Sequence, residues 1–148
     1  MEGDPLGKQL AMALKSVQAQ LDERLTAVGS SFSTYLVLRY IQQHPGVSQR
    51  ALAERLGIEG PTLTHHLDRL SERGLVDRVR HTGDRRVSSA VLTAPGRAHL
   101  QKARAIADRY NAELQGLFGA DELATLTACL GRIADRYGRY PFDRNRSA

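Results

Sequence analysis

Residues 51–79, ALAERLGIEGPTLTHHLDRLSERGLVDRV, decide the fold because they hold two short apolar periods separated by helix-breaking residues. Ser48, just upstream, can cap a first short helix, and Gly57 can take the left-handed conformation that ends it. Pro61 is tolerated in the first turn of a helix, so a second helix is predicted to begin there and to continue until Gly74. The stretch therefore predicts two short helices joined by a turn.

The spacing of the apolar residues along the chain changes after the second of these helices. Two runs rich in β-branched residues, 75–80 and 87–92, flank the segment HTGDRR, which contains Gly83. Short strands on either side of a glycine-containing turn predict a β-hairpin. A strand pair after two such helices is the arrangement of a winged helix-turn-helix.

Longer helices are predicted on both sides of this unit. Apolar spacing indicates one helix from Pro5 to about Gly29 and another over residues 33–43. Thr93 begins a long helix that Gly119 closes, and a last helix follows it. The last helix alternates apolar steps of three and four at Leu123, Leu126, Leu130, Ile133 and Tyr137.

The charge balance makes nucleic acid the first partner to consider. The chain of 148 residues has a net charge of +5, and 18 of its 21 basic residues are arginines. Arginine side chains suit phosphates and base edges. A basic surface without a partner remains the alternative, because net charge alone does not specify a ligand.

The adjacent histidines His65 and His66 point in different directions on a helical wheel. Leu63, Leu67 and Leu70 form one apolar stripe, with His65 almost opposite and His66 on its flank. Metal ligands on one helix need a spacing of three or four residues, so the pair cannot chelate one ion. His81 could approach from the hairpin, but we expect no metal site and no cofactor.

The face opposite the leucines presents hydroxyl, imidazole and guanidinium groups, which suit the edges of bases in a major groove. The DNA-binding residues predicted on this helix are Pro61, Thr62, Thr64, His65 and Arg69. An ordinary solvated helix face is the alternative.

The hairpin favours the DNA-binding interpretation. Its arginines are Arg78, Arg80, Arg85 and Arg86. A narrow β loop with arginines at its tip can enter a minor groove, and Asp84 can orient Arg86 by a bidentate pair. The predicted wing residues are Arg80, Asp84, Arg85 and Arg86.

Together these elements predict a mainly α (α+β) fold, a winged helix-turn-helix with N- and C-terminal dimerisation helices. We assign residues 1–30 and 94–140 to the dimerisation helices, 31–93 to the DNA-binding domain and 141–148 to a C-terminal tail. Apolar stripes of this kind pack well against a partner helix. The chain's own core explains a stripe equally well, but the flanking helices surround a domain that could close its core without them.

Other classes of protein fit poorly. One cysteine excludes a disulfide framework, and a buried, unreactive Cys129 is favoured over an oxidant sensor. No phosphate-binding loop, nucleophile elbow or zinc-protease motif occurs, so we expect no enzyme. We also expect no signal peptide and no membrane span, hence a cytoplasmic protein. A winged-helix protein-interaction module remains open, although it needs no arginine-tipped wing.

From about Leu6 to Tyr137 the chain resembles the multiple-antibiotic-resistance-regulator (MarR) family of bacterial transcription factors. The resemblance rests on residues 51–79, on GDRRVSSAVLT at 83–93, and on the paired C-terminal helices. It implies a homodimer whose first, fifth and sixth helices interlock, bound to a palindromic DNA operator, usually as a repressor. It also implies release by a small phenolic or anionic effector.

The resemblance assigns DNA contacts to Thr62, Thr64, His65 and Arg69 on the second of the two short helices and to Arg86 and Arg85 in the wing. His65 departs from the family, because many members have arginine after the central threonine, so an operator cannot be transferred from a relative. An effector site between the first, second and fifth helices could use Lys15, Tyr35 or Arg39.

Overall fold

The computed structural model describes residues 3–80 and 88–137, and within them the chain forms six α-helices and a small antiparallel sheet. The helices are α1 (Leu6–Leu25), α2 (Phe32–Gln43), α3 (Gln49–Leu56), α4 (Gly60–Glu72), α5 (Ala94–Gln115) and α6 (Ala120–Tyr137). The strands are β1 (Val76–Arg80) and β2 (Ser88–Leu92). The predicted mainly α, winged helix-turn-helix architecture is confirmed.

Side-chain caps explain where α2, α3 and α5 begin. The Ser48 hydroxyl accepts a hydrogen bond from the N–H of Ala51, and the Thr93 hydroxyl accepts one from the N–H of Gly96. Helix α2 begins one residue earlier than predicted because Ser31 is its cap. Gly57 has a φ value of 69°, the left-handed conformation predicted to end α3, and Gly74, predicted to break the next helix, has the same conformation with a φ value of 68°.

Helix α5 ends at Gln115, earlier than the predicted boundary at Gly119. The N–H groups of Leu117 and Phe118 bond to carbonyls three residues back, at 3.3 and 3.1 Å, so the chain tightens into a turn before α6.

The hydrophobic core lies where α2, α3, α4 and the sheet pack on α5 and on the end of α1. Its largest fully buried side chains are those of Leu25, Leu38, Leu52, Leu63, Leu67, Leu100, Val37 and Val76. Strand β1 pairs with β2 from Val76↔Leu92 to Arg80↔Ser88, and an isolated bridge between Ser48 and Ser89 attaches the start of α3 to the sheet. The predicted turn at Gly83 lies outside the described residues.

Helix α5 crosses the start of the hairpin at Gly96, which is buried. A Cβ atom at this position would stand 1.9 Å from the carbonyl oxygen of Leu75. Only glycine allows the helix and the strand to approach this closely.

The apolar residues of α6 and of the first half of α1 are exposed or only partly buried. Within the described part of α6, only Gly131 is buried. None of the described helices is long and apolar enough to cross a membrane.

Candidate nucleic-acid interface

Helix α4 has a buried apolar face and a solvent-exposed polar face, as the helical wheel predicts. Leu63, Leu67 and Leu70 are buried in the core. The predicted DNA-binding residues Pro61, Thr62, Thr64, His65 and Arg69 are all exposed. The helix therefore presents two hydroxyls, an imidazole and a guanidinium to solvent, none of them covered by the described part of the chain.

His66 lies at the border between these faces, where the wheel places it, and is half-buried. Burial lowers the pKa of His66 below its usual value of 6.5, and the nearby positive charges of His65 and Arg69 lower it further. The imidazole is therefore mostly uncharged at neutral pH. In residues 3–80 and 88–137 no three histidine, cysteine or acidic side chains group together as metal ligands. His81 lies outside those ranges.

Arg78 joins the exposed face of α4 to the hairpin. Its guanidinium Nη2 lies 2.9 Å from the Asp68 carboxylate and donates a 3.1 Å hydrogen bond to the carbonyl oxygen of Thr64. The sequence placed Arg78 among the wing arginines and did not predict this role. The indication of this contact in the sequence was indirect, because the helical wheel only places the acidic side chain of Asp68 on the outer face of α4.

The structure describes little of the predicted wing. Arg80 is the last residue of β1, and its side chain is not described. Asp84, Arg85 and Arg86 lie outside the described residues, so their roles stay predictions.

A second region of interest is a cavity of about 370 Å³ between α1, α2 and α5. Tyr35 and Arg39 line it, and the Arg39 guanidinium donates a 3.0 Å hydrogen bond to the Tyr35 hydroxyl. Asp108, Tyr110 and Asn111 of α5 complete its polar wall, whereas Lys15, the third residue considered for an effector, is not part of it.

Cys129 was predicted to be buried, but it is only partly buried in the single chain. The Arg132 guanidinium donates to its Sγ at 3.0 Å. The expectation of burial therefore does not hold for the chain alone.

The sequence and the fold are similar to those of known proteins. A model of the MarR family matches residues 29–87. The transcriptional repressor CouR, solved with a 23-mer DNA duplex, is 34% identical, with 88% of this chain and 92% of that chain covered and a TM-score of 0.81. A mutant of E. coli MarR complexed with operator DNA is 28% identical, with 89% and 95% covered and a TM-score of 0.82. The M. tuberculosis regulator MOSR in complex with DNA is also 28% identical, with 90% and 98% covered and a TM-score of 0.75.

Proposed function

This chain belongs to the MarR family of DNA-binding transcriptional regulators, and from that premise we propose that it is a homodimeric repressor of a palindromic operator. The observation that supports this most is the exposed polar face of α4, opposite its buried leucines. The MarR, CouR and MOSR structures named above each contain DNA.

In this proposal α4 enters the major groove. Thr62, Thr64, His65 and Arg69 contact base edges or phosphates there, and Pro61 lies at the helix start. Arg80, Arg85 and Arg86 of the wing reach the adjacent minor groove, with Asp84 orienting Arg86. Residues 31–93 then serve as the DNA-binding domain.

The exposed apolar side chains support a homodimer formed by residues 1–30 and 94–140. Leu6, Leu14, Leu117 and Tyr137 are between 55% and 80% exposed. Large apolar patches of this kind on a single chain mark association surfaces. A second copy covering α1 and α6 would bury them and would place two copies of α4 on one duplex.

Salt dependence and one wing substitution test DNA binding. If several phosphates are neutralised, affinity for duplex drops by orders of magnitude between about 50 and 200 mM salt. Arg86→Ala is expected to weaken binding by about tenfold or more and to leave the dimer intact. Unchanged affinity would refute the wing assignment, and affinity insensitive to salt would favour a protein-interaction module.

The cavity between α1, α2 and α5 supports a second part of the proposal, release of DNA by a small phenolic or anionic effector. Arg39 can pair with an anionic group, and Tyr35 and Tyr110 offer aromatic surface. Benzoate and phenol are suitable probes. We expect a ligand of this class to raise the melting temperature and to weaken operator binding, and Arg39→Met to abolish the response to benzoate. If Arg39→Met and wild type respond alike, the ligand does not bind there.

A further inference from the structure

A separate cavity of about 240 Å³ lies between the start of α2 and the second half of α4. It is lined by Gly29, Ser30, Ser31, Thr34, His66, Arg69, Leu70 and Arg73. We call it the α2–α4 cavity. It lies on the flank of α4 opposite the one that Arg78 joins to the hairpin, and it is not the cavity between α1, α2 and α5.

The charged groups on its wall are cationic. Arg69 lies in the last turn of α4 and Arg73 is the C-terminal cap of that helix, and Arg73 Nη2 donates a 2.7 Å hydrogen bond to the carbonyl oxygen of Gly29. That bond holds one guanidinium against the turn between α1 and α2. Among the described residues, no carboxylate lines the cavity. Asp22, near the end of α1, accepts the N–H of Phe32 at 2.6 Å and is not part of the wall.

The helix α2 contributes its positive end. Its 12 residues begin at this wall, where the N–H of Phe32 donates to the Asp22 carboxylate and the N–H of Thr34 donates to the Ser31 hydroxyl. The helix dipole favours negative charge at that end. The side chains of Ser30, Ser31 and Thr34 line the same cavity, and the Ser31 hydroxyl donates to Thr34 Oγ1 at 3.1 Å.

Ser30 supplies an independent observation. Its residue surface is only 8% exposed, and its Oγ is shielded from solvent with no hydrogen-bond partner. Buried hydroxyls are nearly always paired in folded proteins, so the Ser30 hydroxyl is available to hydrogen-bond a ligand in the cavity. Ser30 lines the cavity together with two arginines, so a ligand that suits this wall is a hydrogen-bond acceptor with negative charge.

We propose that the α2–α4 cavity binds a phosphate oxyanion, which in the operator complex is a phosphodiester of the DNA backbone. The assignment to DNA rests on the proposed function. It is supported by Arg69, which belongs both to this wall and to the exposed face of α4. A phosphate beside the major groove that α4 enters would then lie between the helix dipole of α2 and the two guanidinium groups, and would fix the register of α4 on the duplex.

Titration of the full chain with inorganic phosphate, at constant ionic strength set by chloride, tests the site without DNA. Backbone amide NMR signals of residues 30–34 are expected to shift saturably. Ser30→Ala should weaken phosphate binding by about tenfold, the effect of losing a hydrogen bond to a charged group. Ser71→Ala is the matched control, because its hydroxyl is also buried and unpartnered but does not line the cavity.

Thr34→Glu provides a second variant whose fold should be secure. Glutamate at the third helical position after the Ser31 cap forms a capping box, so helix α2 is expected to be at least as stable. The added carboxylate should abolish the phosphate shifts. Phosphate binding that survives both Ser30→Ala and Thr34→Glu, or no saturable shift in wild type, would overturn the proposal.

The source of the phosphate is identified with duplexes in which single phosphodiesters are replaced by uncharged methylphosphonates. For a DNA phosphate, one replacement per half-site weakens wild-type binding and has no further effect on Ser30→Ala. If no position behaves in this way while inorganic phosphate still binds, the ligand is a free phosphate and the assignment to DNA is wrong. If wild type binds no duplex at all, the proposed function is wrong, and the phosphate titration still tests whether the cavity binds phosphate.

Discussion

Arg78 shows how one side chain joins two parts of the DNA-facing surface. Its contacts with Asp68 and the Thr64 carbonyl connect β1 to α4. Both partners of the ion pair are partly exposed, so the pair contributes little to folding, about 0–1 kcal/mol. We therefore expect the ion pair to affect mainly the position of α4 relative to the wing.

Replacing Arg78 with alanine should lower affinity for the operator severalfold while shifting the melting temperature by only a few degrees. Fluorescence anisotropy with labelled duplex and thermal denaturation measure the two effects. Arg104→Ala is the matched control, because it removes an exposed arginine paired with Asp108 on α5. Equal affinities of the two variants would show that the Arg78 contacts do not position α4.

His66 gives the stability of the fold a pH dependence with a defined sign. Its folded-state pKa is lower than the ordinary value of 6.5 because of burial and then of nearby positive charges. The unfolded chain therefore binds the proton more readily. The contribution to stability is fully present above about pH 6.5 and is lost as the pH falls through the lowered folded-state pKa.

The free energy of unfolding, measured in urea between about pH 7.5 and 5.5, should therefore fall on acidification. His66→Gln should reduce this fall. It should not remove the fall, because burial also lowers the pKa of His99, with Arg73 and Lys102 adding to the shift. A wild-type profile that rises toward acid, or an identical profile for His66→Gln, would contradict the assignment.

Helices and strands were predictable where a local cause sets their ends. The caps at Ser48 and Thr93 and the left-handed glycines at 57 and 74 act within a few residues, so the sequence indicated them. The contact between α5 and Leu75, the residue before β1, was not predictable, because it depends on two segments about twenty residues apart. In the sequence, Gly96 is a glycine within a helical pattern, and its close approach to the Leu75 carbonyl is visible only in the structure.

Gly96→Ala is expected to destabilise the protein by about 2 kcal/mol, because the new methyl group must push helix from strand. This loss outweighs the gain of up to about 1 kcal/mol that alanine brings inside a helix. Gly7→Ala in α1, where a Cβ meets nothing within 4 Å, is the control and should be neutral or mildly stabilising. Chemical denaturation compares the two, and a Gly96→Ala variant as stable as wild type would mean that α5 does not approach β1 this closely.

As a whole, the molecule has a hydrophobic core between α2, α3, α4, α5 and the sheet, whereas α6 and the first half of α1 have exposed apolar side chains. The order of elements followed from hydrophobic periods and could be predicted, whereas the difference between the two flanks of α4 could not. One flank meets Arg78 and the other meets the start of α2, and both contacts come from distant segments. The DNA-binding roles of residues 84–86 at the wing tip are inferred from the sequence and from the family resemblance.

Ile133→Asp on the apolar stripe of α6 should convert the proposed dimer to monomer and reduce operator affinity by orders of magnitude. A buried carboxylate without a partner is incompatible with an apolar interface. Ala128→Asp lies on the opposite side of the same helix and is the control. Sedimentation reports the mass, and circular dichroism confirms that the lobe stays folded. A dimeric Ile133→Asp variant would place the interface elsewhere.

The most direct test of the central claim, that two copies of α4 and its wing face one duplex, is selection of bound sequences from a random DNA pool. The account predicts an inverted repeat whose half-sites are centred about one helical turn, roughly 10 base pairs, apart. Enrichment of no sequence, or of a site without two-fold symmetry, would contradict it.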